Sequence, residues 1–165
     1  MNKIKDITLI AVLTTVLFVQ EQLLTNLPGI QLTIFLIVLY SKKIGFSKTA
    51  VIVVIHTFLD CLYTSSLSLM YTPAMLIGWL IIPITLNTIF KNVESNVKLA
   101  ILGFVYSLIY CWLFILPNYI LLNIDPITYI ISDLLFEIIL AVVSFLTILW
   151  LYIPCSKIFD VYEKR

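Results

Sequence analysis

Residues 128–153 read TYIISDLLFEIILAVVSFLTILWLYI, and their only charges are Asp133 and Glu137, both in the first half. As one helix this stretch rises about 39 Å at 1.5 Å per residue. That exceeds the ~30 Å hydrocarbon thickness of a bilayer. Apolar side chains occupy every face of the helix beyond Glu137, so no solvated stripe is left for a water-soluble packing. The whole chain has the same character: 62% of its 165 residues are hydrophobic and 12% are charged. Soluble domains carry about twice that charge fraction, and one core of this size would not hide so much apolar surface. Lipid removes the difficulty.

Five further apolar segments precede this one. The first runs from about Ile7 to Leu24 and ends at the turn signal Thr25-Asn-Leu-Pro-Gly29. The second, Ile30 to Tyr40, is short; about 16 Å of helix does not cross a bilayer, so it is a short buried helix or a re-entrant one. The third spans Phe46–Tyr63. The fourth spans Pro73–Phe90, with Pro73 placed for a first turn and Pro83 for a kink. The fifth spans Val97–Leu116, stopped by Pro117-Asn118, and the sixth spans Thr128–Ile153, stopped by Pro154. The expected fold is an all-α integral membrane protein: a six-helix transmembrane bundle forming one domain over residues 1–165.

Lysine and arginine orient it. Lys3 and Lys5 precede the first segment, and Lys42, Lys43 and Lys48 fall between the second and third. Lys91 and Lys98 fall between the fourth and fifth, and Lys157, Lys164 and Arg165 follow the sixth. With six segments all ten basic residues lie on one side, which the positive-inside rule makes cytoplasmic. Both termini are then cytoplasmic in a plasma-membrane protein. The loops around Pro28, Ser65-Ser66 and Pro117–Asp125 face outward. The basic N-terminus followed by an apolar run has the outline of a signal peptide, but no small-x-small cleavage site follows, so the first helix is expected to stay.

Ionisable residues within membrane segments are costly and point to function. Here they gather at one depth. Glu21 lies well along the first segment. His56 and Asp60 are one turn apart on the third, and Asp133 and Glu137 are four apart on the sixth, so each pair shares a face. All belong to the outer half, with Gln20, Gln22, Asn26, Tyr71, Trp79, Trp112 and Asn118 at the same level. No lysine or arginine is available there. The pattern predicts an acidic, aromatic-lined pocket open to the outside. It would favour a cationic or donor-rich solute through charge-assisted hydrogen bonds and cation–π contact. Against this stand plainer readings: belt aromatics for Tyr71 and Trp112, a buried His56–Asp60 pair, and a helix-start carboxylate in Asp133.

Cys61, Cys111 and Cys155 are far apart, with no CxxC and no cysteine near His56, so no metal site is expected. A second pattern lies in the cytoplasmic half of the first segment. Thr8, Ala11 and Thr15 are small residues at one-turn spacing, a face for close helix contact in lipid, either within the bundle or with a partner.

In size, six segments, internal termini, the short second segment after Asn26-Leu-Pro-Gly-Ile-Gln-Leu-Thr33, the polar loop before the fourth segment, and the stretch Met70-Tyr-Thr-Pro-Ala-Met-Leu-Ile-Gly-Trp79, the chain resembles the substrate-binding S component of an energy-coupling factor (ECF) transporter. The resemblance covers essentially the whole chain. It implies a subunit that binds a vitamin or other micronutrient from outside and docks on a membrane T component carrying two cytoplasmic ATPases. The family docks through an alanine-xxx-alanine motif on helix one; Ala11 with Thr15 matches it in size but not in identity. The family pocket, built from outer loops and the outer halves of helices four to six, coincides with the polar level read above. A nickel or cobalt member would carry a histidine near the N-terminus, where Asn2 stands. The absence of a GxxxxGK[ST] loop assigns ATP hydrolysis to partners, and neither a cofactor, a nucleic-acid partner nor an enzymatic activity is expected. The alternatives are a membrane scaffold of the MreD type, which needs no outer cavity, and an intramembrane enzyme using His56 with Asp60, which lacks a nucleophile or metal set.

Overall fold

The computed structural model describes residues 3–65 and 67–163, so Met1, Asn2, Ser66, Lys164 and Arg165 fall outside the described residues. Within these limits the chain is all helical: α1 (Lys3–Leu24), α2 (Thr33–Lys43), α3 (Gly45–Tyr63), α4 (Tyr71–Asn87), α5 (Asn96–Leu113), α6 (Ile115–Leu122) and α7 (Pro126–Glu163). Four stretches are long and apolar enough to cross a membrane: α1, α3, the α5–α6 run Asn96–Leu122, and α7. Their outward faces carry apolar side chains, Val12, Val16 and Leu23 on α1 and Ile131, Leu135 and Val142 on α7 among them. With 17 residues, α4 is shorter than these four.

The short second helix is the hub of the bundle. Thr33 through Ser41 are buried without interruption, because α2 packs against α1, α3, α4, α5 and α7. A helix apolar on all sides has to be enclosed, and of the two sequence readings for this segment the structure adopts the short buried helix. At its lysine-bearing end, Lys42 Nζ donates to the backbone carbonyls of Phe90 (2.8 Å) and Lys91 (3.1 Å). Lys43 meets Asp160 at 2.6 Å, and Lys48 meets Asp6 at 2.5 Å. The described lysines therefore collect at one end, while the C-termini of α1 and α3 and the N-termini of α2, α4 and α7 form the other.

Two prolines read as stops are not. α7 continues through Pro154 to Glu163, where Asp160 holds Lys43 and Phe159 packs on Tyr40, ring centroids 6.1 Å apart. Those tertiary contacts offset the hydrogen bond that proline removes. Pro117 sits in the first turn of α6, where its missing N–H is an orphan in any case. The break falls earlier, at Phe114. α7 begins at Pro126, and Asp125 caps it, its Oδ2 accepting from the Ile127 and Thr128 backbone N–H groups at 3.0 and 3.3 Å.

α5 and α7 make the most extensive pair in the bundle. Ala100, Gly103, Ser107 and Cys111 form the buried face of α5 against Glu137, Ala141, Ser144 and Ile148 of α7. Small residues bring the backbones together where lipid supplies no hydrophobic drive. A β-carbon at Gly103 would collide with the Ile148 side chain.

Candidate functional site

Gln20, Glu21 and Gln22 are consecutive on α1, and each reaches to a neighbouring helix. Gln20 Oε1 accepts from the Leu32 backbone N–H (2.9 Å), and its Nε2 donates to Thr33 Oγ1 (2.9 Å) and to the Leu17 carbonyl (2.9 Å). Leu32, at the N-cap of α2, has no side-chain oxygen to cap it, so Gln20 satisfies this entry from outside the helix. Gln22 Nε2 donates to Asp60 Oδ1 of α3 at 3.0 Å. Glu21 Oε2 accepts from Thr33 Oγ1 at 3.4 Å and lies 2.9 Å from His56 Nε2. His56 is fully buried, and among the described residues neither ring nitrogen makes a hydrogen bond, its close contact being the Glu21 carboxylate. The histidine thus faces Glu21 across the α1–α3 contact, whereas the sequence suggested Asp60 as its partner.

Beside these groups a cavity of about 220 Å³ opens at the lysine-free end. Glu21, Gln22, Asp60 and Thr64 supply its polar wall, the 25–31 loop its rim, and Phe136 of α7 its far side. Gly29 holds the loop against α7. Its φ of +76° suits glycine, and a β-carbon there would meet Ile139 Cγ2 at 3.0 Å and the Phe136 carbonyl at 3.2 Å.

An aromatic wall stands next to the acids. Trp79 of α4 stacks on Tyr110 of α5 (centroids 3.9 Å apart, planes at 19°), Tyr110 meets Phe114 edge-on (5.1 Å), and Phe114 stacks with Tyr71 (6.2 Å). Tyr71 Oη donates to Asn118 Oδ1 at 2.9 Å. Gly78 makes room for this wall, since a β-carbon there would lie 2.7 Å from Tyr110 Cδ2. Tyr110 directly precedes Cys111 on α5.

A second acidic group lies where α5 meets α7. Cys111 Sγ and carboxylate oxygens of Asp133 and Glu137 all lie within 4.8 Å of one another. Tyr129 Oη approaches Asp133 Oδ2 at 3.5 Å, and Trp112 follows Cys111 on α5.

The expected site residues therefore divide. Glu21 and Asp60 line the cavity and His56 backs it; Trp79, 1% exposed, is the deep aromatic the sequence suggested. Tyr71 and Asn118 join the aromatic wall. Asp133, Glu137 and Trp112 form the separate α5–α7 group, and Trp112 is half exposed at the surface. Asn26 is exposed in the loop and does not line the cavity. The sequence already places Gln22 at this level, a polar residue beside Glu21 within an apolar run, whereas Tyr110, Thr33, Phe136 and Cys111 are not among its candidates. Thr8, Ala11 and Thr15 all lie on the exposed face of α1. The Thr8 and Thr15 hydroxyls are spent on the Ile4 and Ala11 carbonyls (3.0 and 2.9 Å), which leaves that face small and free of unpaired donors.

No protein-family model, no curated protein and no solved structure matches this chain.

Proposed function

We propose that this protein is the solute-binding subunit of an ECF-type uptake transporter. Its lysine-free end faces outward, its termini are cytoplasmic, and six helical segments are embedded in the plasma membrane. The carrying observation is the cavity of about 220 Å³ at the lysine-free end, walled by Glu21, Gln22 and Asp60. Carboxylates without lysine or arginine beside them suit a cationic or donor-rich micronutrient, and a concave pocket with a few convergent polar groups is where a small molecule binds. The outward-facing small face of Thr8, Ala11 and Thr15 serves as the docking surface for a transmembrane T component, which carries two ATPases. A scaffold of the MreD type would need neither the cavity nor the acids.

Affinity purification from native membranes in mild detergent tests this reading. A polytopic partner together with P-loop ATPases is the expected yield. Recovery of cell-shape proteins in their place would overturn it.

A further inference from the structure

We infer that Cys111, Asp133 and Glu137 form a binding site for a borderline-soft divalent cation of the zinc class, held between α5 and α7. The three groups come from two helices, and their donor atoms lie within 4.8 Å of one another. That spacing suits ligands around one ion, since Zn–S and Zn–O bonds of about 2.3 and 2.0–2.2 Å set ligand atoms some 3–4 Å apart after small adjustments. Two features mark it as more than a chance meeting of acids. Glu137 is 3% exposed, and its Oε1 has no hydrogen-bond partner among the described residues. Leaving such an atom unpaired in a buried place is expensive. Cys111, 2% exposed, adds a sulfur ligand that magnesium and calcium do not favour and zinc does.

Charge is consistent with a divalent ion. With the cation bound, thiolate and carboxylates total three negative charges, and no lysine or arginine of the described residues is placed at this end of the bundle to share them. A divalent ion reduces the local charge to one, and the cysteine releases its thiol proton as the metal–sulfur bond forms. Tyr129 Oη approaches Asp133 Oδ2 at 3.5 Å, while Glu137 Oε1 stays unpaired among the described residues. The α5–α7 seam sets the register. Gly103 against Ile148 and Ser144 places Cys111, two turns further along α5, opposite Glu137, two to three turns back along α7. Three protein ligands leave a fourth tetrahedral position for water or for a donor atom of a solute. The site does not depend on the transport reading.

Cadmium is the probe, because thiolate-to-cadmium charge transfer gives an ultraviolet band that carboxylates alone do not. The purified full-length protein in detergent is titrated with Cd²⁺. The band should saturate at a single equivalent, be displaced by Zn²⁺ and be indifferent to excess Mg²⁺. Cys111→Ser should abolish it, and Cys61→Ser and Cys155→Ser should keep it. Asp133→Asn and Glu137→Gln should weaken Cd²⁺ binding by at least the roughly 10–100-fold that loss of even an outer partner costs. The inference is overturned if the folded wild-type protein shows no band, if the band survives in Cys111→Ser, if Mg²⁺ displaces the ion as well as Zn²⁺ does, or if both carboxylate variants bind with unchanged affinity. Should Cys111→Ser fail to fold, Asp133→Asn, at a half-buried position, decides the matter by its affinity alone.

Discussion

His56 Nε2 and Glu21 Oε2 lie 2.9 Å apart across the α1–α3 contact, the histidine fully buried and the carboxylate facing the cavity. The pair ties the wall of the cavity to the helix behind it. Removing one partner of a buried polar pair costs more than the pair itself contributes. His56→Gln and Glu21→Gln should each destabilise the protein by about 1–3 kcal/mol, and the double variant should lose less than the sum, with a coupling of roughly 0.5–3 kcal/mol. Unfolding of the four proteins in detergent reads this directly. Strict additivity would mean that the two groups do not interact.

Gly78 lets Tyr110 stack on Trp79. Gly78→Ala puts a methyl group 2.7 Å from Tyr110 Cδ2, closer than real contacts permit, so the stack must open. The expected cost is about 1–3 kcal/mol from overpacking, despite the gain in helix propensity, together with a changed tryptophan fluorescence spectrum. Unchanged stability and emission would show that the ring moves freely aside.

Ala11 lies on the exposed face of α1, between Thr8 and Thr15. Ala11→Trp should leave the isolated protein folded and its solute binding intact, while uptake in cells falls to background. The indole would hold a partner helix away from a face whose affinity comes from close packing. Undiminished uptake with normal assembly would remove this face from docking.

Orientation is open to chemical labelling. Leu69, 91% exposed, and Asn26 lie in loops at the lysine-free end, and Glu94 is exposed at the lysine-bearing end. In a background whose native cysteines are replaced, Leu69→Cys and Asn26→Cys should react with an impermeant thiol reagent on intact cells, and Glu94→Cys should not. Labelling at position 94 would invert the topology.

The sequence made much of this fold legible, for identifiable reasons. Apolar run length located α1, α3, α5 and α7, and the shortness of Ile30–Tyr40 left a buried or a re-entrant helix, of which α2 is the buried one. Lysine placement separated the two ends. The prolines misled because a stop rule assumes that a helix has only its own hydrogen bonds to lose, whereas the contacts of Asp160 and Phe159 sustain α7 beyond Pro154. The site was legible by depth but not by azimuth. Glu21 and Asp60 line the cavity while Asp133 and Glu137 meet Cys111 between α5 and α7, and the position of α5 relative to α7 is not encoded in either helix alone. For the same reason Cys111 gave no sign of Asp133 and Glu137, which come to it only through the α5–α7 seam.

Native mass spectrometry of the protein purified from its own membranes reads whether the cavity beside Gln22 and Asp60 takes up the small solute proposed for it. The wild-type protein should carry a bound small organic molecule, or acquire one from a metabolite extract. Asp60→Asn should lose it, since one charge-assisted hydrogen bond, worth roughly 1.5–3 kcal/mol, changes a dissociation constant about 10- to 150-fold. Gln22→Ala, which removes the donor to Asp60 Oδ1, should weaken it as well. A folded wild-type protein that neither carries nor acquires a small molecule, or equal retention in both variants, would contradict the account.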